Sequence, residues 1–162
     1  MTGDLILRDV VDDDLAVFFE YQLDPEANRM AAFSARDPAD RADFMAKWTR
    51  ILADESTPIQ TIVLDGRVAG HVFCWTDEAL GRPEVSYWIG KDFWGQGIAT
   101  RALAMFLDRV SERPLLGRAA ADNVASLRVL EKCGFTRCGR TKGFANARGE
   151  EIEEVILELH AG

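Results

Sequence analysis

The stretch Asp92-Phe-Trp-Gly-Gln-Gly-Ile-Ala-Thr100 follows a predicted strand, Glu84–Ile89, and leads into an amphipathic helix predicted from Gln96 to about Ser111. The first turn of a helix has free backbone N–H groups and the positive end of the helix dipole, and together these can hold a phosphate. Gly95 and Gly97 would let the backbone approach such a group closely. Glycines that only cap a helix look the same, so the stretch alone leaves both interpretations open. It contains neither the dinucleotide-binding pattern G-x-G-x-x-G near a first strand nor the P-loop pattern Gly-Lys-Ser/Thr.

The flanking sequence predicts an α/β chain with one mixed sheet. Before the glycine-bearing stretch, period-two and period-3.6 patterns predict one strand, two helices and a hairpin. These elements are a strand at Leu5–Val10, a helix from Asp12, a helix at Pro38–Glu55 capped by Asp37, and hairpin strands Ile59–Leu64 and Arg67–Trp75. After it we expect a strand at Leu115–Ala121, a helix at Val124–Lys132 capped by Asp122 or Asn123, and strands Phe135–Phe144 and Glu151–Leu159. We expect residues 1–162 to form a single domain, because this length buries enough surface without disulfides.

The composition argues against several classes of partner. The chain has 27 acidic and 19 basic residues and a formal net charge of −8. Nucleic acid is therefore not expected as the main partner, because phosphate binding needs a basic footprint. We find no basic leader and no apolar run of about 20 residues, so we expect a cytoplasmic protein with no membrane partner.

The cysteines do not suggest a metal centre. Cys74, Cys133 and Cys138 lack the paired two-residue spacing of a zinc site, and His71 and His160 are the histidines available. We interpret the cysteines as buried free thiols and expect no metal.

Four linked motifs carry a resemblance to a known family. They are Tyr87-Trp-Ile89, Trp94-Gly-Gln-Gly-Ile-Ala99, Asn123-Val-Ala-Ser126 and Lys132-Cys-Gly-Phe135. In this order and at these separations the chain resembles the GNAT (GCN5-related N-acetyltransferase) superfamily, particularly its RimJ/RimL-like branch. In that branch Trp94 stands where the broader superfamily has Gln or Arg. The resemblance implies a splayed, mostly antiparallel sheet of about seven strands with about four flanking helices.

The same resemblance implies acetyl-CoA as co-substrate. The amides around Gln96, Gly97, Ile98, Ala99 and Thr100 would hold its pyrophosphate. Trp88 and Ile89, at the end of a splayed strand, would pair with the pantetheine arm, and Asn123 would hold that arm or a backbone group. One of Arg101, Arg128 and Lys132 would meet the 3′-phosphate, although an ordinary solvated helix face also explains these three cations.

The resemblance also suggests the catalytic residues. Glu84 matches the position of a carboxylate that removes the amine proton through ordered water. A polar strand-edge residue, solvated or paired with Arg82 or Lys91, is the alternative interpretation of Glu84. His71 is a second candidate base, because histidine titrates near neutral pH, but it also reads as a half-buried strand residue.

The proton donor differs from the commonest pattern of the family. The position where many members carry a tyrosine is Leu130 in this chain. Ser126 matches a serine that RimL-like relatives place near the CoA sulfur, where it would donate a hydrogen bond to the thiolate. A first-turn capping role explains Ser126 equally simply.

The function implied is acetyl transfer from acetyl-CoA to a primary amine by direct attack on the thioester. The acceptor would be a protein N-terminus, as in the ribosomal-protein branch, or a small amine such as a polyamine or an aminoglycoside. The alternative is an acyl-CoA-binding sensor or partner module with little turnover. The protein would be a monomer or a homodimer. The acidic run Glu150–Glu154 could attract a cationic acceptor, but alternating charge on a solvent-facing strand explains it more simply.

Overall fold

A computed structural model describes residues 3–55, 57–77 and 81–160 of the 162-residue chain. In this part of the chain seven strands form one sheet in the order β1-β2-β3-β4-β5-β7-β6. The strands are β1 Leu5–Arg8, β2 Ile59–Leu64, β3 Arg67–Asp77, β4 Arg82–Ile89, β5 Leu115–Ala120, β6 Thr136–Ala145 and β7 Glu150–Leu159. The helices are α1 Asp12–Gln22, α2 Pro25–Ala31, α3 Arg41–Ala53, α4 Ile98–Leu107 and α5 Val124–Lys132, with a 3₁₀ turn at Lys91–Phe93. The predicted α/β fold with a mixed, mostly antiparallel sheet is confirmed.

The sheet changes direction at its centre. Every neighbouring pair of strands is antiparallel except β4 and β5, which are parallel and are joined, among the described residues, at the single register position Glu84↔Leu116. Parallel neighbours need a crossover connection, which α4 supplies. From Glu84 onwards β4 and β5 no longer pair with each other, so the sheet is open at this point.

The two faces of the sheet carry different helices because side chains alternate along each strand. Val72, Cys74 and Val85 belong to a core cluster with buried residues of α4 and α5, among them Ile98 and Leu127. On the opposite face, residues of β3 contact Phe18 of α1 and Trp48 of α3. The first three helices therefore cover one face, and α4 and α5 cover the other.

Two helix predictions were incomplete. The helix predicted from Pro38 begins at Arg41, because the Asp40 carboxylate, rather than Asp37, accepts the N–H of Asp43 at 3.0 Å and caps it. The short helix α2 was not predicted, and it raises the number of α-helices in the described residues from about four to five. Its signals are present in the sequence: the Asp24 side chain accepts from Ala27 N at 3.0 Å, and Pro25 occupies the first turn.

The acidic residues Asp12–Asp14 begin α1, and the last of them, Asp14, also anchors this helix to the sheet. Asp14 is 3% exposed. Its carboxylate accepts both terminal nitrogens of Arg8, at 2.7 and 2.9 Å, and the Thr61 hydroxyl at 2.7 Å. It also accepts the N–H of Val11 at 3.0 Å. A buried charge with this many partners fixes α1 against β1 and β2.

The three cysteines differ in exposure. Cys74 is buried, Cys133 is intermediate and Cys138 is exposed. The prediction of buried thiols is therefore wrong for Cys138, because β6 is the edge strand of the sheet and most of its residues face solvent. Within the described ranges, no three His, Cys, Asp or Glu side chains are grouped so as to hold a metal ion. No helix in these ranges is both long and apolar enough to cross a membrane.

Gly117 of β5 lets α5 pack closely against the sheet. A Cβ built at this position would lie 2.9 Å from Cδ2 of Leu130 and 3.4 Å from the Phe135 ring. Leu130 is 2% exposed and Phe135 is also 2% exposed, so neither side chain has free space into which to move. The absence of a side chain at Gly117 therefore sets the distance between α5 and the sheet.

We predict that Gly117→Ala lowers the free energy of unfolding by about 1–3 kcal/mol, because it overpacks this contact. Gly139→Ala is the matched control, since a Cβ at this strand glycine would meet its nearest neighbour, Ile156, at an ordinary 4.0 Å. Urea unfolding measures both changes. Equal effects of the two substitutions would show that the contact with α5 does not constrain the fold.

Candidate active site

A pocket of about 700 Å³ lies where β4 and β5 separate. Its lining includes residues from both faces of the sheet: Phe18, Trp48 and Glu84 on one side, and Thr100 and Ser126 on the other. A ligand that crosses the sheet at this opening would reach both faces. Pockets of this size are typical of small-molecule and cofactor sites.

The glycine-bearing loop forms one end of the pocket. Gly95 and Gly97 have φ angles of 78° and 73°, and a Cβ added at either would meet no atom within 4 Å. Gly97 is the N-cap of α4, whose first residues Ile98, Ala99 and Thr100 line the pocket together with Gly97. Their N–H groups have no partner within the helix, so the loop offers the open, positively polarised cradle that an anion requires.

Gln96 lies outside the pocket lining, although it belongs to the same loop. Its side-chain amide donates to the Asp92 carbonyl at 3.4 Å. This contact closes the loop on itself, so the side chain of Gln96 supports the loop.

Trp94 fixes the end of β4. Its indole N–H donates to the carbonyl of Ile89 at 2.9 Å. The backbone groups of Gly90 point toward β3, since Gly90 N donates to Ala69 O at 2.8 Å. Backbone direction alternates along a strand, so Tyr87 and Ile89 present their N–H and C=O groups toward the opening. With the Ile89 carbonyl engaged by Trp94, the backbone of Tyr87 is the better placed of the two to pair with a ligand arm.

Trp88 also lines the pocket, but its side chain lies on the face of α1–α3.

The side chain of Asn123 is used within the fold. Its Oδ1 accepts from Ser126 N at 3.2 Å and caps α5, and its Nδ2 donates to the Met30 carbonyl at 3.1 Å, which ties α5 to α2. The hydroxyl of Ser126 points elsewhere: Ser126 Oγ lies 2.7 Å from the Tyr87 hydroxyl oxygen. The capping role considered for Ser126 therefore involves its backbone, while its hydroxyl faces the pocket region with Tyr87.

Glu84 is held in an ion-pair network. It is 7% exposed, and its Oε1 accepts from Nε of Arg118 at 2.8 Å. Nη1 of Arg118 lies 3.6 Å from Oε1 of Glu154. The partners considered from the sequence are engaged elsewhere, Arg82 with Glu158 at 2.9 Å and Lys91 with Glu26 at 2.6 Å. Glu84 is thus a buried, ion-paired carboxylate and not a solvated strand-edge residue.

Glu154 was interpreted as part of a solvent-facing run, which is wrong for this residue. Its side chain is 15% exposed and lines the pocket. β7 is an interior strand between β5 and β6, so one of its faces is covered. Burial raises the pKa of Glu154, and the neighbouring Glu84 adds to this effect, while Arg118 opposes it.

His71 is a poor base at neutral pH. Burial lowers the pKa of His71 to about 3, and the charge of Lys47 contributes in the same direction. The ring packs edge-on against Phe18 and Trp48, with centroids 4.7 and 4.8 Å away. Nδ1 is buried without a hydrogen-bond partner among the described residues. The imidazole therefore acts as a neutral aromatic group.

The three cations proposed for a terminal phosphate are not equivalent. Arg101 donates to the Gly3 carbonyl at 2.9 Å and is partly committed to the segment before β1. Arg128 and Lys132 are exposed on α5. Arg128 or Lys132 of α5 is therefore better placed than Arg101 to contact a terminal phosphate.

A loop contact forms another wall of the pocket region. The β6–β7 turn binds the segment around the end of α2: Asn146 Nδ2 donates to Ser34 O at 3.0 Å, Ala147 N to Ala32 O at 3.2 Å, and Arg148 Nε to Arg29 O at 2.7 Å. Met30, Ala31 and Ser34 line the pocket. The turn therefore positions the part of the pocket wall that the end of α2 forms.

Three residues of this site were missed from the sequence: Arg118, Glu154 and the hydroxyl of Tyr87. Arg118 had a usable signal, because a single charge within Leu115-Leu-Gly-Arg-Ala-Ala120 implies a buried partner. Tyr87 had one as well. It follows Glu84 by three positions, an odd number, so on a strand the two side chains must point to opposite faces.

We predict that Glu154→Gln changes how stability depends on pH. The pKa of Glu154 is higher in the folded protein than in the unfolded chain, so as pH rises the unfolded chain loses the carboxyl proton first. The free energy of unfolding therefore declines as pH rises from about 4.3, the ordinary pKa of glutamate, to the pKa in the folded protein. The variant should lack this decline and gain stability relative to the unmodified protein between pH 4 and 7. Urea unfolding across this range measures the difference. Glu151→Gln, at an exposed position of the same strand, controls for loss of one negative charge. A constant difference between Glu154→Gln and the unmodified protein over this range would contradict the assignment.

The acetyltransferase (GNAT) domain family model matches residues 4–136 of this chain. Among curated proteins, the chain is similar to the uncharacterised N-acetyltransferase p20 of Bacillus licheniformis, with 24% identity over 98% of this chain and 93% of that protein. It is 29% identical to YdaF of Bacillus subtilis strain 168, provisionally named a ribosomal N-acetyltransferase, over 78% of this chain and 74% of that protein.

A solved structure shares the fold. Mycobacterium smegmatis RimJ in complex with CoA-disulfide superimposes with a TM-score of 0.81 at 24% identity, over 98% of this chain and 83% of RimJ. This chain belongs to the GNAT acetyltransferase family.

Proposed function

We propose that this protein transfers an acetyl group from acetyl-CoA to a primary amine, which attacks the thioester directly. The observation that carries the proposal is the pocket that crosses the sheet, with the N-terminus of α4 on one face and Glu84 on the other. Such an opening allows a thioester held on one face to meet an amine held on the other. Family membership and the CoA compound in the RimJ complex support the choice of donor.

For the donor, the backbone amides of Gly97, Ile98, Ala99 and Thr100 would hold the pyrophosphate, since all four residues line the pocket at a helix N-terminus. A Cβ at Gly97 would project into open space that this group needs. Gln96 would contribute its backbone, and Tyr87 with Ile89 would offer the strand edge to the pantetheine amides. Arg128 or Lys132 of α5 would face the terminal phosphate.

For the base, Glu84 is the better candidate than His71. The His71 ring is enclosed by Phe18 and Trp48, and burial lowers its pKa to about 3, so taking up a proton would place a positive charge among aromatic side chains. Glu84 points to the face of α1–α3, where the acceptor would enter, and Arg118 fixes the direction of its carboxylate. Glu84 would accept the amine proton, directly or through water.

For the leaving group, Ser126 is the proposed donor. Its hydroxyl lines the pocket on the face of α4 and α5, opposite Glu84. A hydroxyl that donates to a developing thiolate stabilises the negative charge on sulfur without having to ionise. The first turn of α5 adds its positive dipole end.

For the acceptor, a single amine on a protein N-terminus agrees best with the pocket. Lys47 and Arg118 line it together with Asp43, Glu84 and Glu154, so the cations offset most of the carboxylate charge. A polyamine or an aminoglycoside would bring several positive charges beside those cations. The ribosomal N-acetyltransferase name of YdaF points in the same direction.

The proposal is tested by incubating the protein with acetyl-CoA and a panel of N-terminal peptides, polyamines and aminoglycosides while free thiol is measured. We expect thiol release with peptides, together with acetylation of their α-amine by mass spectrometry. Saturable acetyl-CoA binding without release for any acceptor would support the sensor alternative. Release only with polyamines or aminoglycosides would overturn the acceptor assignment.

We predict that Glu84→Gln lowers kcat about 100-fold near neutral pH, with the larger loss at low pH, where less of the amine is neutral. Acetyl-CoA affinity should remain within about twofold of the original by calorimetry, an order-of-magnitude expectation for a residue outside the donor cradle. Glu151→Gln should leave both quantities unchanged, because its side chain is exposed and outside the pocket lining. An unchanged pH–rate profile in Glu84→Gln would remove Glu84 from the mechanism.

We predict that Gly97→Ala weakens acetyl-CoA binding about fivefold to tenfold. An alanine at a φ of 73° is strained by about 1 kcal/mol, and its Cβ would enter the cradle. Gly66→Ala is the matched control, because Gly66 has a φ of 80° with nothing within 4 Å of an added Cβ, but lies in the β2–β3 turn. Isothermal titration would detect the change, and equal affinities of the two variants for acetyl-CoA would argue against the cradle.

A further inference from the structure

The hydroxyls of Tyr87 and Ser126 form a pair on the donor side of the pocket. Their oxygens lie 2.7 Å apart, and both residues line the pocket. Tyr87 lies on β4 and Ser126 in the first turn of α5, so the contact joins the strand at the opening to the helix beside it. The approach of α5 permitted by Gly117 makes this contact possible.

Strand alternation separates this pair from the proposed base. The register pairs Val72 with Tyr87 and Trp75 with Glu84, so Tyr87 lies on the face of the α4–α5 core and Glu84 on the other. β4 thus presents the Glu84 carboxylate on the proposed acceptor face and, three positions later, the Tyr87 phenol on the proposed donor face.

The direction of the hydrogen bond follows from the chemistry of the two groups. Tyr87 is partly buried, and the burial of its hydroxyl raises its pKa to about 12, against the effect of the bond with Ser126. The phenol therefore stays protonated at neutral pH. A phenol is a stronger acid than an aliphatic hydroxyl, so Tyr87 is the better donor and Ser126 Oγ the better acceptor. Cys133 is the other titratable group that acts on Tyr87, and its own pKa is raised by burial, so it stays neutral.

We propose that Tyr87 is a positioning residue: it donates to Ser126 Oγ, and so directs the Ser126 O–H at the sulfur of the departing CoA thiolate. The proposal rests on the proposed function. A serine hydroxyl has one proton, and an acceptor bond from Tyr87 leaves that proton free for the sulfur. The two hydroxyls also polarise each other, which strengthens the donation to sulfur.

The chemical step balances without proton loss from either hydroxyl. The amine nitrogen forms a bond to the carbonyl carbon of the thioester, the carbon–sulfur bond then breaks, and its electron pair goes to sulfur. The amine proton leaves through Glu84 to solvent, and the thiolate then takes a proton from solvent. Tyr87 and Ser126 stabilise the thiolate while it exists and keep their own protons.

The bound product provides a readout that a purely structural role would not change. CoA labelled with ¹³C at the methylene beside sulfur is bound to the protein, and its NMR shift is followed against pH to obtain the pKa of the bound thiol. In the unmodified protein this pKa should lie below that of free CoA, because two aligned hydroxyls favour the thiolate. Tyr87→Phe keeps the ring and removes the hydroxyl, and it should reduce the acid dissociation constant of the bound thiol about tenfold.

A double-mutant cycle separates positioning from independent action. Ser126→Ala should reduce the dissociation constant at least as much as Tyr87→Phe, and the double variant no further than Ser126→Ala alone. Independent, additive effects would overturn the proposal, as would an unchanged thiol pKa in Tyr87→Phe. Tyr21→Phe is the matched control, since it removes a partly buried hydroxyl that donates to the Val68 carbonyl outside the pocket lining. It should leave the thiol pKa unchanged.

A second variant covers the case in which Tyr87→Phe does not fold. The chain has two tyrosines, so fluorotyrosine incorporated into Tyr21→Phe replaces Tyr87 alone. Fluorination makes the phenol a stronger donor and should increase the dissociation constant of the bound thiol. A decrease would show that Ser126 donates to Tyr87, and would overturn the proposal. Failure of the unmodified protein to bind CoA would instead overturn the proposed function itself.

Discussion

The ion pair between Arg118 of β5 and Glu84 of β4 lies where the sheet opens, and the site depends on it. Two parallel strands that stop pairing leave backbone edges exposed and lose the contacts that would hold them at a fixed spacing. Glu84 occupies the last shared register position, and the guanidinium of Arg118 joins the two strands there at 2.8 Å. Because Arg118 also reaches Glu154 of β7, three strands are linked at one point on the face that α1–α3 cover. A partly buried guanidinium between two carboxylates contributes little net stability by itself, but removing it would take away the cation that these two neighbouring carboxylates share.

Much of the fold was predictable because local patterns were unambiguous. β2 and α5 have the predicted bounds, Ile59–Leu64 and Val124–Lys132, since Pro58, Asp65-Gly66 and Gly134 mark their ends. α4 ends at Leu107 rather than about Ser111, although Val110 is buried as its stripe required. Apolar spacing continues beyond the last helical residue here, so periodicity overestimates the length of the helix.

The site was less predictable because its residues meet across distant parts of the chain. Glu84 and Ser126 were found through their resemblance to a family. Arg118 meets Glu84 because β5 lies beside β4, and it meets Glu154 because β7 inserts between β5 and β6. Local periodicity predicts where a strand such as β7 begins and ends, but it does not give the order of strands in the sheet. The side chains of β7 that become buried could therefore not be predicted. The pairing of Tyr87 with Ser126 has the same origin, since it requires the distance between α5 and the sheet that Gly117 permits.

The contact between the β6–β7 turn and the end of α2 has a consequence for how this protein could change over evolutionary time. The turn lies outside residues 4–136, the span shared with the family model, yet it holds the wall of the pocket through Asn146, Ala147 and Arg148. The donor cradle and both proposed catalytic side chains lie within the shared span. Substitutions in the turn could therefore reshape the acceptor wall while the thioester half of the site stays as it is. New acceptor preferences could arise in this hairpin without a less active intermediate along the way.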